Sequence, residues 1–158
     1  MTSADALAAA LTAAVEAAQA QDLLAYDAAL ARLALSDVPR VSSVTGAVVR
    51  DVLEQRHPGG LTGEDVGGVL RRAAGTAAWL PDLDPEVLLV VVTGALGLLD
   101  VDDQPATLSP KAVLRHAPVL LASLLNGPPS GPQPALPLGP RLTAALAELR
   151  RAETVELP

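Results

Sequence analysis

DPEVLLVVVTGALGLL, residues 84 to 99, decides the fold because this stretch is apolar on nearly every side of a helix. No charged residue occurs from Val87 to Leu99, and such an element has to be surrounded by other elements. A helix over these residues is about 20 Å long, shorter than the roughly 30 Å of a bilayer core. We therefore predict an all-α fold, a compact bundle of about six helices around a central apolar helix at residues 84–99.

The valines from Val90 to Val92, with their flanking leucines, are also compatible with a buried strand. The residues before them favour a helix, because Asp84 is a cap, Pro85 suits a first turn and Glu86 lies near the N-terminal dipole. The run is also longer than a typical strand, and the chain offers no second strand candidate to pair with it. We therefore interpret the stretch as a helix.

Caps, prolines and apolar spacings of three and four residues mark the other helices. A phase jump after Ala18 predicts that the first 35 residues form two helices rather than one long bent helix. We interpret Gly67, Gly68 and Gly75 as points where a neighbouring backbone comes close to the fourth helix. The predicted helix starts are Thr2, Asp22, Ser36 or Asp37, Thr62, Asp84 and Ser109.

A proline inside the sixth predicted helix suggests a pocket. Pro118 removes one hydrogen bond and kinks the helix, which leaves a carbonyl without its usual partner. Arg115 and His116 precede the kink, and a polar pair beside a kink can line a cavity. Arg115, His116 and Pro118 are therefore candidate pocket residues. The alternative, which we favour, is that Arg115 and His116 simply face water.

A stretch rich in proline and glycine divides the chain. We predict a helical bundle domain (1–126), a linker (127–140) and a C-terminal helix (141–153). The linker holds six prolines and three glycines in fourteen residues, which indicates semi-rigid polyproline II character. The amphipathic helix after it either folds back on its own bundle or docks on a partner. Its candidate partner-binding residues are Arg141, Leu142, Leu146 and Leu149.

The composition disfavours several classes of function. A net charge of −7 opposes binding to phosphate backbones and to anionic lipid, so we expect neither a nucleic-acid nor a membrane partner. One Tyr, one Trp and no Phe leave few rings for stacking, and the lack of Cys removes thiol chemistry. The N-terminus lacks the basic start of a signal peptide, which predicts a cytoplasmic protein. Phe, Tyr, Met, Ile, Asn and Lys total four residues, which indicates a GC-rich bacterial genome.

No motif identifies a reaction, and we predict no catalytic residue, no cofactor and no metal. The acidic loop 100–107 suggests a calcium site, but an EF-hand loop counted from Asp100 needs glycine at its sixth position and glutamate at its twelfth. Pro105 and Lys111 occupy these positions, so the match fails. His57 ends a predicted helix, where the dipole favours a capping role over catalysis.

These observations favour a non-catalytic helical interaction, scaffold or regulatory protein that associates with itself, as a homodimer, or with another protein. A small-molecule-binding domain or modest enzyme, with its pocket near Pro118, is the alternative. A third hypothesis is a DNA-binding helix-turn-helix, in which Arg71 and Arg72 lie on the second helix. The acidic net charge disfavours it.

Overall fold

A computed structural model describes residues 2–98, 109–127 and 134–155. These ranges contain seven α-helices and no strand, so the predicted all-α bundle is confirmed. The acidic loop predicted at 100–107 and residues 128–133 of the predicted linker lie outside the described residues. The helices are α1 (Ser3–Gln19), α2 (Leu23–Leu33), α3 (Val38–Arg56), α4 (Gly63–Thr76), α5 (Pro85–Ala95), α6 (Pro110–Asn126) and α7 (Leu138–Val155).

The first six helices begin at the predicted caps. The Thr2 hydroxyl accepts a hydrogen bond from the Asp5 N–H, and the Asp5 carboxylate accepts one from the Thr2 N–H. Thr62 and Asp65 repeat this reciprocal arrangement at the start of α4. Asp22 caps α2 with its side chain, which confirms two helices in the N-terminal segment.

The most buried helix of the bundle is α6, not α5. Ten of the 17 residues of α6 are buried, and α6 contacts every one of the five helices before it. In α5 only Val87, Leu88 and Val92 are buried, and Leu89 is 42% exposed. The prediction of a central helix at 84–99 was therefore wrong in its placement. Apolar residues on all sides of α5 do not require cover on all sides, because α5 is short and packs against its neighbours along one flank.

The last helix lies across α3 and α1 and buries Leu142, Ala145 and Leu146 against them. It begins at Leu138 rather than at residue 141, because Pro140 falls in the first turn, where a missing N–H costs nothing. Arg141 forms an ion pair with Asp51 of α3 at 3.2 Å. The division of the chain into a bundle, a linker and a separate helix stays a prediction.

One arginine joins the ends of three segments. The Arg56 guanidinium, at the end of α3, donates hydrogen bonds to the carbonyls of Leu124 and Leu125 at 3.0 Å each. It also donates to the carbonyl of Pro134, just before α7, at 3.2 Å. The carbonyls at a helix C-terminus have no partners within their own helix, so a guanidinium satisfies them well.

The glycines of α4 do not mark close packing, and that interpretation was wrong. A Cβ added at Gly75 would meet nothing within 4 Å, and at Gly67 and Gly68 it would meet only arginine side chains of the same helix. The close approach of two helices lies elsewhere. At Gly46 of α3, an added Cβ would lie 3.9 Å from the Cα of Ala95 in α5.

Candidate functional site

A groove between α3, α5 and α6 is the feature of the described residues best suited to hold a ligand. Its volume is about 790 Å³, within the range typical of small-molecule sites. The walls come from the first half of α3, the second half of α5 and the first half of α6. The larger aliphatic side chains that line the groove are Val38, Val41, Val90, Val91, Val113 and Leu114.

The groove forms because small residues bring α3 and α5 together, while the side chains of the described residues leave the space beside them unfilled. Gly46, Gly94 and Ala95 all line it. The chain has only two aromatic residues, and both lie elsewhere: Tyr26 and Trp79 pack edge to face, with ring centroids 5.2 Å apart. The cavity therefore has aliphatic walls and offers no ring for stacking.

Three hydroxyl-bearing residues of α3 line the groove, and the hydroxyl of one of them is buried and has no hydrogen-bond partner among the described residues. Ser42 and Ser43 are exposed at its rim, whereas Thr45 is only 3% exposed. Thr76 and Thr93 donate their hydroxyls to the carbonyl four residues earlier in their own helices. The Thr45 Oγ1 has no hydrogen-bond partner within the described ranges. Leaving a buried hydroxyl unpaired costs about 1–3 kcal/mol, which makes Thr45 the most distinctive polar group of the groove.

No Asp, Glu, Lys, Arg or His is among the described residues that line the groove. Arg40, on the neighbouring surface of α3, is instead directed to α7, where its Nη1 lies 3.6 Å from a Glu153 carboxylate oxygen. The described part of the lining is aliphatic and uncharged, and a surface of this kind can bind a molecule that has little charge of its own. In the described part of the chain, no group of three or more potential metal ligands comes together.

The sequence-predicted pocket residues lie together in α6, but none of them is among the residues that line the groove. Arg115, whose side chain is 20% exposed, pairs with Asp27 of α2 at 2.8 Å and with Asp82 at 2.6 Å. These ion pairs tie α6 to α2 and to the turn before α5. Burial raises the pKa of the Asp82 carboxyl. The hydrogen bond and the charge of Arg115 lower this pKa by a larger amount, so the net pKa lies below the ordinary value of an aspartate.

The prediction that Arg115 and His116 simply face water was wrong for His116, which is 3% exposed and has a hydrogen-bond partner at each ring nitrogen. Its Nε2 accepts from the backbone N–H of Asp84 at 2.8 Å, and its Nδ1 lies 2.8 Å from the Ala112 carbonyl. Because the Asp84 N–H can only donate, Nε2 is the acceptor and Nδ1 carries the proton. His116 is therefore neutral in this arrangement and holds the start of α5.

Tyr26 of α2 contacts α6 three residues before Pro118, close to where the sequence suggested a pocket. Its ring is completely buried, and its hydroxyl donates to the Arg115 carbonyl in the turn before the proline. Burial raises the pKa of Tyr26 far above its ordinary value, with smaller contributions from nearby charges, so the hydroxyl stays protonated and donates.

The other predicted site residues lie at separate places. Leu142 and Leu146 of α7 are buried on the bundle and Leu149 is partly buried, and a cavity of about 350 Å³ separates part of α7 from α1. Arg71 and Arg72 lie over the glycines of their own helix. At the end of α3, the His57 Nδ1 is 3.2 Å from the Leu53 carbonyl.

Sequence reasoning missed the groove. The signal available was a hydroxyl-rich stretch, Ser42 to Thr45, among the valines of α3, together with the continuous valines of α5. Neither observation alone places three helices around a cavity. Within the described ranges no helix has both the length and the apolar character needed to cross a membrane. Comparison of the chain with protein-family models, with curated proteins and with solved structures finds no match.

Proposed function

We propose that the protein is a non-catalytic helical binding module with a regulatory or scaffolding role, and that the groove between α3, α5 and α6 is its binding site. The observation that carries this proposal is a cavity of about 790 Å³ whose described lining residues form aliphatic walls and include no charged side chain. Ligand sites are typically concave and mostly apolar, with few polar groups that fix orientation, and this groove has those properties.

Occupation of the groove would change how α5 is held. In the free protein, Val90 and Val91 are half-buried and Leu89 is exposed, so α5 is covered on one flank only. An apolar occupant would remove these valines from water and would contact α3 and α6 at the same time. A ligand that binds only the folded chain stabilises it by mass action, so an occupant of the groove would stabilise the whole bundle.

The proposal is tested with diphenylhexatriene, an uncharged hydrocarbon that fluoresces in apolar surroundings. We expect the protein to bind the dye, and we expect Val91→Glu to abolish binding because it places a carboxylate in the groove. Val66→Glu is the matched control, since Val66 is also a half-buried helical valine packed against the core but does not line the groove. Equal dye binding by the two variants, or no binding by the unaltered protein, would contradict the proposal.

Self-association through α7 is a second candidate function, supported by the cavity of about 350 Å³ between α7 and α1. An interface that leaves such a space is less tightly packed than a protein interior, so α7 could exchange between two copies at modest cost. The mass in solution, measured from low to high micromolar concentration, tests this. A monomer at every concentration would count against it. The predictions of a homodimer, a cytoplasmic location and the helix-turn-helix alternative all stay predictions.

A further inference from the structure

We propose that the groove selects a neutral aliphatic molecule that carries one hydroxyl or carbonyl group, and that this group forms a hydrogen bond with Thr45. The inference rests on the proposed binding function of the groove and adds the chemical class of its ligand. Three properties of the described residues support it: the charge of the lining, the state of the Thr45 hydroxyl, and the shape and composition of the walls.

The lining disfavours a charged ligand. Its polar side chains among the described residues are Ser42, Ser43 and Thr45, and none of these carries a formal charge. Burying a carboxylate or an ammonium group without an ionic partner is far more costly than burying a hydroxyl or a carbonyl that has a hydrogen bond. A charged head group could therefore be accommodated only outside the groove, where it would lose the contact with Thr45.

The unpaired hydroxyl of Thr45 favours a ligand with one polar group. Thr45 lines the groove, is 97% buried and has no hydrogen-bond partner for its Oγ1 among the described residues. Threonine in a helix has two accessible side-chain rotamers, so rotation about the Cα–Cβ bond can direct the hydroxyl to the groove. A ligand oxygen would then remove the cost of the unpaired group, which a pure hydrocarbon cannot do.

The walls favour a flexible aliphatic molecule over a planar ring or a protein surface. No aromatic residue is among the described residues of the lining, so the groove cannot stack a base or a similar ring. A protein partner needs about 800 Å² of surface on each side and uses projecting anchors. The most exposed large hydrophobic residues of the described chain do not line the groove: Leu24, Leu35, Leu89, Leu98 and Val155.

The test compares three probes with the same alkyl chain and different head groups: decanol, decanoate and decyltrimethylammonium. The displacement of diphenylhexatriene from the protein by each probe measures the affinity of that probe. We expect decanol to bind at least about tenfold more tightly than either ion. Thr45→Val should weaken decanol about fivefold while leaving the affinity for the hydrocarbon dye unchanged, because only decanol uses the hydroxyl. Thr45→Ser, which keeps the hydroxyl, should retain decanol binding within about twofold.

Two results would overturn the inference while leaving the proposed function standing: equal binding of decanol and decanoate, or an unchanged decanol affinity in Thr45→Val. Dye binding that disappears as the protein dimerises would also overturn it, since the occupant of the groove would then be a second copy of the chain. Failure of the unaltered protein to bind the dye at all would overturn the proposed function and the inference together.

Discussion

Replacing Thr45 with valine should make the free protein more stable. In the folded state the threonine hydroxyl is buried, 3% of the residue is exposed, and its Oγ1 has no hydrogen-bond partner among the described residues. In the unfolded chain, the same hydroxyl is fully hydrated. Folding therefore removes a hydrogen-bonding group from water without compensation, which costs about 1–3 kcal/mol.

The size of the effect follows from the near-identical shapes of the two side chains. Valine removes the cost of the hydroxyl and adds a methyl group whose burial contributes roughly 0.8 kcal/mol. Threonine and valine have similar helix propensities, so the backbone of α3 should not oppose the change. We expect the free energy of unfolding to rise by about 2 kcal/mol, which corresponds to about 4–8 °C in Tm for a domain of this size.

Thermal unfolding followed by circular dichroism and by the fluorescence of Trp79 measures this shift. Trp79 packs against Tyr26, away from the groove, so its emission reports unfolding rather than a change beside residue 45. Thr93→Val is the matched control, because the Thr93 hydroxyl already donates to its own helix at 2.8 Å. We expect that control to change stability by no more than about 0.5 kcal/mol. A Tm for Thr45→Val equal to or below that of the unaltered protein would refute the reasoning, since it would mean that the hydroxyl has a partner.

Four further predictions concern other parts of the chain. Gly75→Ala should raise the free energy of unfolding in urea by about 1 kcal/mol, because the added Cβ would meet nothing within 4 Å. Gly127→Ala should lower it, because Gly127 has φ 73° and the added Cβ would lie 3.0 Å from the Arg56 guanidinium. Asp82→Asn should lower the Tm at pH 7, and its difference from the unaltered protein should shrink as the pH falls: the carboxylate of Asp82, with its depressed pKa, stabilises the fold above its unfolded pKa, and this contribution is lost as the pH falls through the folded value. Arg141→Ala should increase proteolysis of residues 134–155 relative to the rest of the chain, measured by mass spectrometry of limited digests, because it removes an ion pair to α3. Duplex DNA should not bind even at low salt, where a fluorescence anisotropy titration is most sensitive to electrostatic attraction; saturable binding would favour the helix-turn-helix hypothesis.

The sequence was sufficient to predict the helices because their signals are local. Thr2, Asp22, Thr62, Asp84 and Ser109 all act as N-caps with their side chains. Each signal involves residues no more than three positions apart, and it is strengthened by proline in the first turn of α5 and α6. Local chemistry of this kind does not depend on how the helices later pack.

Packing could not be predicted in the same way. A run of valines in α5 shows that burial is possible, but which face is covered depends on distant residues such as Gly46. The role of Tyr26 likewise depends on a carbonyl in α6 that is 89 residues away in sequence. Arg115 and His116 were recognised as unusual, yet a polar pair beside a proline does not reveal whether it lines a cavity or holds neighbouring segments. Contacts that are non-local in sequence decide that question.

The hydrogen bonds of Arg56 help to position the C-terminal segment, residues 134–155. They fix the Pro134 carbonyl to the ends of α3 and α6, and the Leu136 N–H donates to the Leu125 carbonyl at 2.8 Å, so both anchors precede the first turn of α7. Non-covalent bonds therefore set the position of residues 134–155, in addition to the covalent connection through residues 128–133. Cleavage within that connection would break none of these hydrogen bonds, so we expect the two fragments to stay associated after the cut, as size-exclusion chromatography would show.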